Sequence, residues 1–369
     1  MKNKNINYAF LLLFLAAVSC TKKDGINQDV SALTSVASTN LTKIFDISND
    51  NSGNVKITPT GEGVTSFTVN YGHGTGTNAS AVVAPGGNTT HVYPEGNYTV
   101  TILSKDIAGH EVSTAYPLKV TYRAPENLAV TFTQNVHNLK VAATADFAAS
   151  YLVYFGDVLG ETGTPLAKGA NVSHDYATSG NYNVKVVALS GGAATTEKIT
   201  SVKITDPFGL PIDFENAFVN YFFGTFGDGQ AFATVDNPNA SGLNTSAKVG
   251  KFTRGAQGWS GTYSPLNTPI DFAVGNKIKV LVYNPDPALI GLKMNLELEW
   301  AVGGTPSNGV AVLKMPFTTS GAWEELVFDY SGIAGIPAGT KFTQLVLRFN
   351  DGGNSGGAIF YVDNFRLTN

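Results

Sequence analysis

Residues 293–300, KMNLELEW, alternate without a break: Met294, Leu296, Leu298 and Trp300 fall on one side, Lys293, Asn295, Glu297 and Glu299 on the other. A period of two is the signature of a strand with one buried and one solvated face. Residues 277–283, KIKVLVY, repeat the pattern, with Ile278, Val280 and Val282 opposed to Lys277, Lys279, Leu281 and Tyr283. Further strands read at 247–254, 309–316, 323–330, 342–350 and 358–367, and no helical periodicity competes with them. Strands in this number, over the residues from about 206 to 369, predict a two-sheet β-jelly roll.

All three tryptophans lie in this part of the chain: Trp259, Trp300 and Trp323. The run 252–263, FTRGAQGWSGTY, reads as a strand that breaks into a glycine-punctuated loop presenting Trp259, with Tyr263 four positions on. A flat indole held out by a rigid β scaffold suits the apolar face of a sugar ring. Trp259 is therefore the first candidate for a ligand surface and Tyr263 its neighbour. Trp300 falls on the apolar side by strict alternation, and a bulge at Gly303-Gly304 would turn it outward; both placements stay open. Trp323 starts a strand. Arg254, Gln257, Asn295, Glu297 and Glu299 are the candidates for hydrogen bonds to hydroxyl groups, and each also reads as part of a solvated face. The Phe226-Gly-Asp228-Gly229 run reads as a turn, with a ligand loop as the alternative that a lone Gly-Asp-Gly signals only weakly.

Upstream, two units share their motifs at a fixed offset. The first carries Val69-Asn-Tyr71-Gly72-His73 and then His91-Val-Tyr93-Pro-Glu-Gly96-Asn97-Tyr98. The second carries Val153-Tyr-Phe155-Gly156-Asp157 and then His174-Asp-Tyr176-Ala-Thr-Ser-Gly180-Asn181-Tyr182. Gly72 to Gly156 and Tyr98 to Tyr182 are both 84 positions apart, which marks a tandem repeat. Short alternating strands over about eighty residues predict an immunoglobulin-like sandwich for each copy. The aromatic-Gly turn followed by His-x-Tyr and Gly-x-Tyr-x-Val resembles the PKD (polycystic kidney disease) domain. YGHG in the first unit and FGDV in the second each depart from that family's aromatic-Gly-Asp-Gly turn at one position. His73, His91, His174 and Asp157 are read as structural, satisfying groups at the ends of the sandwiches. The two units are expected to act as stiff spacers.

The N-terminus pairs Lys2 and Lys4 with an apolar run at 9–18, too short to span a bilayer as a helix but suited to a signal peptide. It ends in Ala17-Val18-Ser19-Cys20, which resembles a bacterial lipobox, with Ala17 where Leu is commoner. The resemblance implies lipidation of Cys20, the single cysteine, so disulfides play no part. Such an anchor holds a protein to a membrane without spanning it. The residue after Cys20 is Thr21, not Asp, and the charged run Lys22-Lys23-Asp24 resembles export signals of surface lipoproteins. Outer-membrane placement at the cell surface is the expectation. The net charge of −4 carries no basic footprint, which argues against nucleic acid as a partner.

The opening Asp213-Phe214-Glu215-Asn216, the tryptophan loop and the closing Tyr361-Val-Asp363-Asn364-Phe-Arg-Leu367 together resemble jelly-roll carbohydrate-binding modules. With the lipobox and spacers ahead of them, they resemble surface glycan-binding lipoproteins of polysaccharide utilization systems. That resemblance implies capture of a polysaccharide for cleavage and import, with a glycan importer complex as a further partner, and a structural calcium clamped by Glu215 and Asp363. Few charges near the aromatics argue for a neutral glycan; by resemblance the expected ligand is a glucan such as laminarin. The competing enzyme reading is a jelly-roll glycosidase using Glu297 and Glu299. Two apart on one strand, their α-carbons stand about 6.5–7 Å apart, loosely near the separations that glycoside hydrolysis uses. It lacks the further acids of jelly-roll glucanases, and no enzymatic activity is expected. An adhesive lipoprotein that meets protein is the third reading. The whole chain is thus expected to be all-β: a signal peptide at 1–19, a tether at 20–41, sandwiches at 42–123 and 124–205, and a jelly roll at 206–369.

Overall fold

The computed structural model describes residues 37–369. The expected leader, Cys20 and most of the tether lie outside the described residues. What is described is all-β, with twenty-four strands joined by turns and three one-turn 3-10 helices. Among the described residues no helix is long and apolar enough to cross a membrane.

The first sandwich contains β1 (Thr39–Ile47), β2 (Asn54–Glu62), β3 (Ser66–Asn70), β4 (Ser80–Val83), β5 (Thr89–Val92), β6 (Gly96–Lys105) and β7 (Glu111–Val120). The second contains β8 (Glu126–Asn135), β9 (Asn138–Asp146), β10 (Ser150–Tyr154), β11 (Thr164–Ala167), β12 (Asn171–Asp175), β13 (Gly180–Leu189) and β14 (Thr195–Ile204). The first pairs its strands as β1-β2-β5 and β4-β3-β6-β7, the second as β8-β9-β12 and β11-β10-β13-β14. Adding seven to each label of the first gives the second, so the 84-residue repeat is a repeat of topology. β1 begins at Thr39, ahead of the expected boundary at 42.

Period-two alternation builds each core. In the first sandwich Val55, Ile57, Phe67, Val69, Val100 and Ile102 turn inward. The motifs that mark the repeat are its corners. Tyr98 and Tyr182 each donate to a carbonyl four residues back, at Pro94 (3.0 Å) and Thr178 (2.9 Å). Tyr93 and Tyr176 each donate to the carbonyl before a glycine, at Tyr71 and Phe155, both at 3.0 Å. That glycine is required twice over. Gly72 and Gly156 have φ of +68° and +80°, and a Cβ would meet the carbonyl oxygens of Thr99 at 2.2 Å and Asn183 at 2.6 Å.

The C-terminal module contains β15 (Gly224–Phe226), β16 (Ala231–Asp236), β17 (Lys248–Thr253), β18 (Gly261–Asp271), β19 (Lys277–Tyr283), β20 (Lys293–Val302), β21 (Thr305–Pro316), β22 (Trp323–Asp329), β23 (Lys341–Phe349) and β24 (Ile359–Thr368). They form two five-stranded sheets, a front sheet β15-β18-β23-β20-β21 and a back sheet β16-β17-β24-β19-β22. Apart from the hairpins β16-β17 and β20-β21, consecutive strands cross between the sheets. Met294, Leu296 and Leu298 from β20 and Leu345, Leu347 and Phe349 from β23 meet Ile278, Val280, Val282, Phe252 and Phe360 from the back sheet.

By compactness the chain divides into two units. One runs to Ala129 and adds Thr144–Tyr151 and Val187–Glu197; the other is Val130–Ala143, Leu152–Val186 and Lys198–Asn369. The residues of the second sandwich are thus shared between the units, while the first sandwich and the jelly roll each fall whole into one.

Candidate glycan-binding site

The outward face of the front sheet follows from its register. Phe226, Gly261, Arg348, Asn295 and Lys314 form one row across its five strands. Gly224, Tyr263, Val346, Glu297 and Val312 form the next, followed by Pro265, Gln344, Glu299 and Val310. Two glycines let large side chains lie flat across neighbouring strands. A Cβ on Gly261 would meet both Phe226 and Arg348 at 2.8 Å, and one on Gly224 would meet the Tyr263 ring at 2.4 Å. The aromatics therefore gather at the β15–β18 edge and the polar groups towards the middle.

Trp259 stands at that edge, 54 % exposed. Its indole lies parallel to the Phe226 ring, 6.0 Å between centroids and 6° between planes, an offset-stacked arrangement. The Arg348 guanidinium carbon lies 6.0 Å from the Phe226 ring centroid, the outer limit of a cation–π contact. On the next row Tyr263 meets the exposed Phe222 edge-on at 5.9 Å. Phe222, Phe226, Trp259 and Tyr263 thus make a rim of four aromatic side chains.

Beyond the rim the charges are paired. Arg348 donates to Glu297 at 2.8 Å, Lys314 to Asp351 at 3.0 Å, and Gln344 donates to Glu299 at 2.5 Å. Burial pushes the Glu297 carboxyl above its ordinary value, against the opposing pull of Arg348. Asn295, in the row between Arg348 and Lys314, is fully buried with neither amide atom hydrogen-bonded to the protein.

Arg254 corrects the sequence reading. Expected at a ligand, it is fully buried and donates to five backbone carbonyls instead: Phe349 (2.6 Å), Gly255 (3.2 Å), Gly258 (3.2 Å), Asn350 (3.1 Å) and Gly353 (3.0 Å). Those oxygens belong to the Trp259 loop, to the last residue of β23 and to the turn after it, so the guanidinium ties the two segments together. Gly352 adds a backbone bond to Gly258 at 3.0 Å, and Ala256 one to Asp228 at 2.8 Å. Burial lowers the arginine's proton affinity, which the nearby Asp351 offsets.

Trp300 is a second correction. It stays with Met294, Leu296 and Leu298 on the core side, 9 % exposed, edge-on to Phe342 at 5.5 Å. The register shift falls after it, between Trp300 and Val302, so no bulge turns it outward. Trp323 is 6 % exposed, with its indole N–H donating to the Asn239 carbonyl at 2.8 Å. Asn295 and Glu297 face outward as the alternation predicts but lie beneath their neighbours' long side chains. Glu299 is partly exposed, and Gln257 stands exposed on the Trp259 loop.

Reasoning from sequence missed Phe222, Phe226, Arg348 and Gln344. The aromatic before Gly-Asp-Gly was a visible signal for Phe226; the run itself is the turn expected, with Gly227, Asp228 and Gly229 all at positive φ.

No family model and no curated relative matches the chain. Solved structures similar to the chain include carbohydrate-binding modules. One, from work on the promiscuous specificity of modules of the β-sandwich superfamily, is 16% identical with a TM-score of 0.31, covering 67% of this chain and 99% of that one. A family 11 module from Clostridium thermocellum, in complex with a β-1,3-1,4-mixed-linked tetrasaccharide, is 16% identical with a TM-score of 0.31, covering 42% and 92%. A family 28 module specific for non-crystalline cellulose is 11% identical with a TM-score of 0.32, covering 44% and 96%. At these values the likeness carries no argument about a ligand.

Glu215 and Asp363, the expected calcium clamp, converge on one short segment. Glu215 accepts from the Lys248 amide at 2.7 Å; Asp363 accepts from Asn244 (2.8 Å), from the Ser246 hydroxyl (2.6 Å) and from the Asn364 amide (2.7 Å). Asp363 is buried, and burial followed by the charge of Asp213 raises its proton affinity. Carboxylate oxygens are the hard donors that Ca²⁺ takes, and those of Asp363 already accept from three protein donors here. Among the described residues no three His, Cys, Asp or Glu side chains gather around one point, so backbone and hydroxyl oxygens would supply the remaining ligands.

Proposed function

We propose that this chain is a cell-surface lipoprotein, anchored through Cys20 in the outer membrane, that binds a neutral polysaccharide on the front sheet of its C-terminal module. It holds the glycan for cleavage and import by other proteins. The observation that carries the reading is the exposed, stacked Trp259–Phe226 pair beside a polar face on the same sheet. Ring stacking is worth about 1–3 kcal/mol per aromatic contact for nucleobases, and sugar stacking is of that order or less. Two or three such contacts give micromolar to millimolar affinity without a deep pocket. The neutral character of the ligand rests on the charge pairing: Arg348 with Glu297 and Lys314 with Asp351 leave no cluster of free cations for an anionic chain. A β-glucan such as laminarin is the ligand of choice by the sequence resemblance. Ca²⁺ held by Glu215 and Asp363 is part of the proposal as a structural ion.

The glycosidase reading is disfavoured by one observation: Glu297, its central carboxylate, is buried in an ion pair with Arg348. Affinity electrophoresis against a panel of polysaccharides tests the proposal. Retarded migration without release of reducing ends is the expected result, and Trp259→Ala abolishes the retardation while leaving the circular dichroism unchanged. Release of reducing ends would restore the enzyme reading, and free migration in every glycan would leave adhesion to protein in its place.

A further inference from the structure

The chain has five histidines, and they fall into two kinds. His110, His137 and His174 each set a ring nitrogen against a carboxylate, Asp106 at 2.9 Å, Asp206 at 3.1 Å and Asp157 at 2.8 Å. His73 and His91 have each other: Nδ1 of His73 lies 3.0 Å from Nε2 of His91.

The repeat makes the exception plain. His91 and His174 hold the same place, two residues before Tyr93 and Tyr176, and each stacks on the aromatic before the glycine, at 4.1 Å on Tyr71 and 4.4 Å on Phe155. The residue after that glycine is Asp157 in the second sandwich and His73 in the first. One copy therefore has an imidazole facing a carboxylate, which is a structural tie. The other sets two imidazole nitrogens at hydrogen-bonding distance, 3.0 Å apart, so that displacing the shared proton would free two donors for one metal ion.

The spacing suits a metal. Two metal–nitrogen bonds of about 2.0–2.1 Å, at angles between square-planar and tetrahedral, hold their nitrogens about 2.9–3.4 Å apart. The rings are already oriented: His91 is stacked on Tyr71 and edge-on to Tyr93 at 4.7 Å, and His73 is edge-on to Tyr98 at 5.4 Å. Preorganised rings lose little freedom on binding. The pair lines an open cavity of about 540 Å³ to which Thr77, Asn78 and Thr90 also contribute, so further coordination positions are accessible.

We propose that His73 and His91 form a two-nitrogen binding site for a divalent transition-metal ion in the first sandwich. Imidazole pairs suit Zn²⁺, Cu²⁺ and Ni²⁺ over Ca²⁺ or Mg²⁺, so this site is distinct in chemistry from the carboxylate cluster of the jelly roll.

The test is calorimetric titration of the untagged full chain with Zn²⁺, alongside His91→Phe, which keeps a ring on Tyr71, and His73→Asn. One saturable equivalent is expected, weakened about tenfold or more by either substitution, with melting in metal-free buffer reporting that each variant is folded. Imidazole ¹H–¹⁵N spectra of the parent provide a reading that needs no variant: Zn²⁺ moves the His73 and His91 resonances and leaves those of His110, His137 and His174 in place. Absence of saturable binding, undiminished binding in both folded variants, or shifts confined to the three carboxylate-paired histidines would overturn the site.

Discussion

Arg254 and Trp259 stand five residues apart in the same run and do opposite jobs. The cation is buried without a carboxylate and is solvated by five carbonyl dipoles; the indole is exposed because that cation holds its loop in place. Removing the guanidinium leaves buried carbonyls without donors, so Arg254→Ala is expected to cost about 3–5 kcal/mol. Urea unfolding followed by tryptophan fluorescence measures this in the C-terminal module alone, since all three tryptophans lie there. An unchanged midpoint would show that the loop does not depend on Arg254. The exposed tryptophan was legible in the sequence because glycines on both sides of an aromatic announce a loop. Arg254 was not, because its acceptors come largely from residues some 95 positions downstream, and a polar residue at a strand end looks the same whether water or carbonyls surround it. Phe226 and Arg348 were hidden for a related reason. They meet across Gly261 only through the register of three strands, and no local pattern states that register.

At the scale of strands the sequence was more informative, because period two fixes which side chains turn inward. The face of β20 follows from it, and the repeated topology of the sandwiches follows from the 84-residue offset of their motifs. Alternation alone does not say which outward residues are free, and here β23 lays Arg348 over Glu297. On the back sheet, β24 carries Asp363 towards the segment 244–248. Its proton affinity is raised in the fold by burial and then by Asp213. The folded state therefore holds its proton more tightly than the unfolded chain. Its protonation favours the fold at low pH, and that contribution fades as pH rises past the ordinary aspartate value of 3.8 towards the folded one. Under the calcium proposal, a bound Ca²⁺ would compensate the Asp363 carboxylate at neutral pH. Addition of Ca²⁺ at about a hundredfold excess over its dissociation constant is expected to stabilise the module by about 2.7 kcal/mol. The measurement is melting temperature with Ca²⁺ against a chelator, and Asp363→Asn is expected to abolish the difference. Equal melting of the parent in both buffers would remove calcium from the proposal.

At the scale of the molecule, the question is whether the spacers contribute to binding or only carry it. Every residue of the rim and polar face lies between Phe222 and Asp351, and the jelly-roll core draws on nothing before Phe208. Its ties to earlier residues include a small hub at Asp206, which accepts from His137 (3.1 Å) and Ser179 (2.9 Å) as well as from Asn216 (2.9 Å). The Asn216 bond, followed by those to His137 and Ser179, holds the Asp206 carboxyl below its ordinary value, despite some burial. Its contribution to stability is present above the unfolded aspartate value and is lost as pH falls through the folded one. A fragment of residues 206–369 keeps Asn216 but loses the other two partners. It is therefore expected to fold, to melt slightly below the same module in the full chain at neutral pH, and to lose that small difference in acid. Its affinity for a soluble glycan is expected to match that of the full chain within about twofold, as read by calorimetry on both. A fragment that folds but binds about tenfold more weakly or worse would mean that the sandwiches share in recognition, and the spacer reading would then have to be given up while the aromatic rim stood.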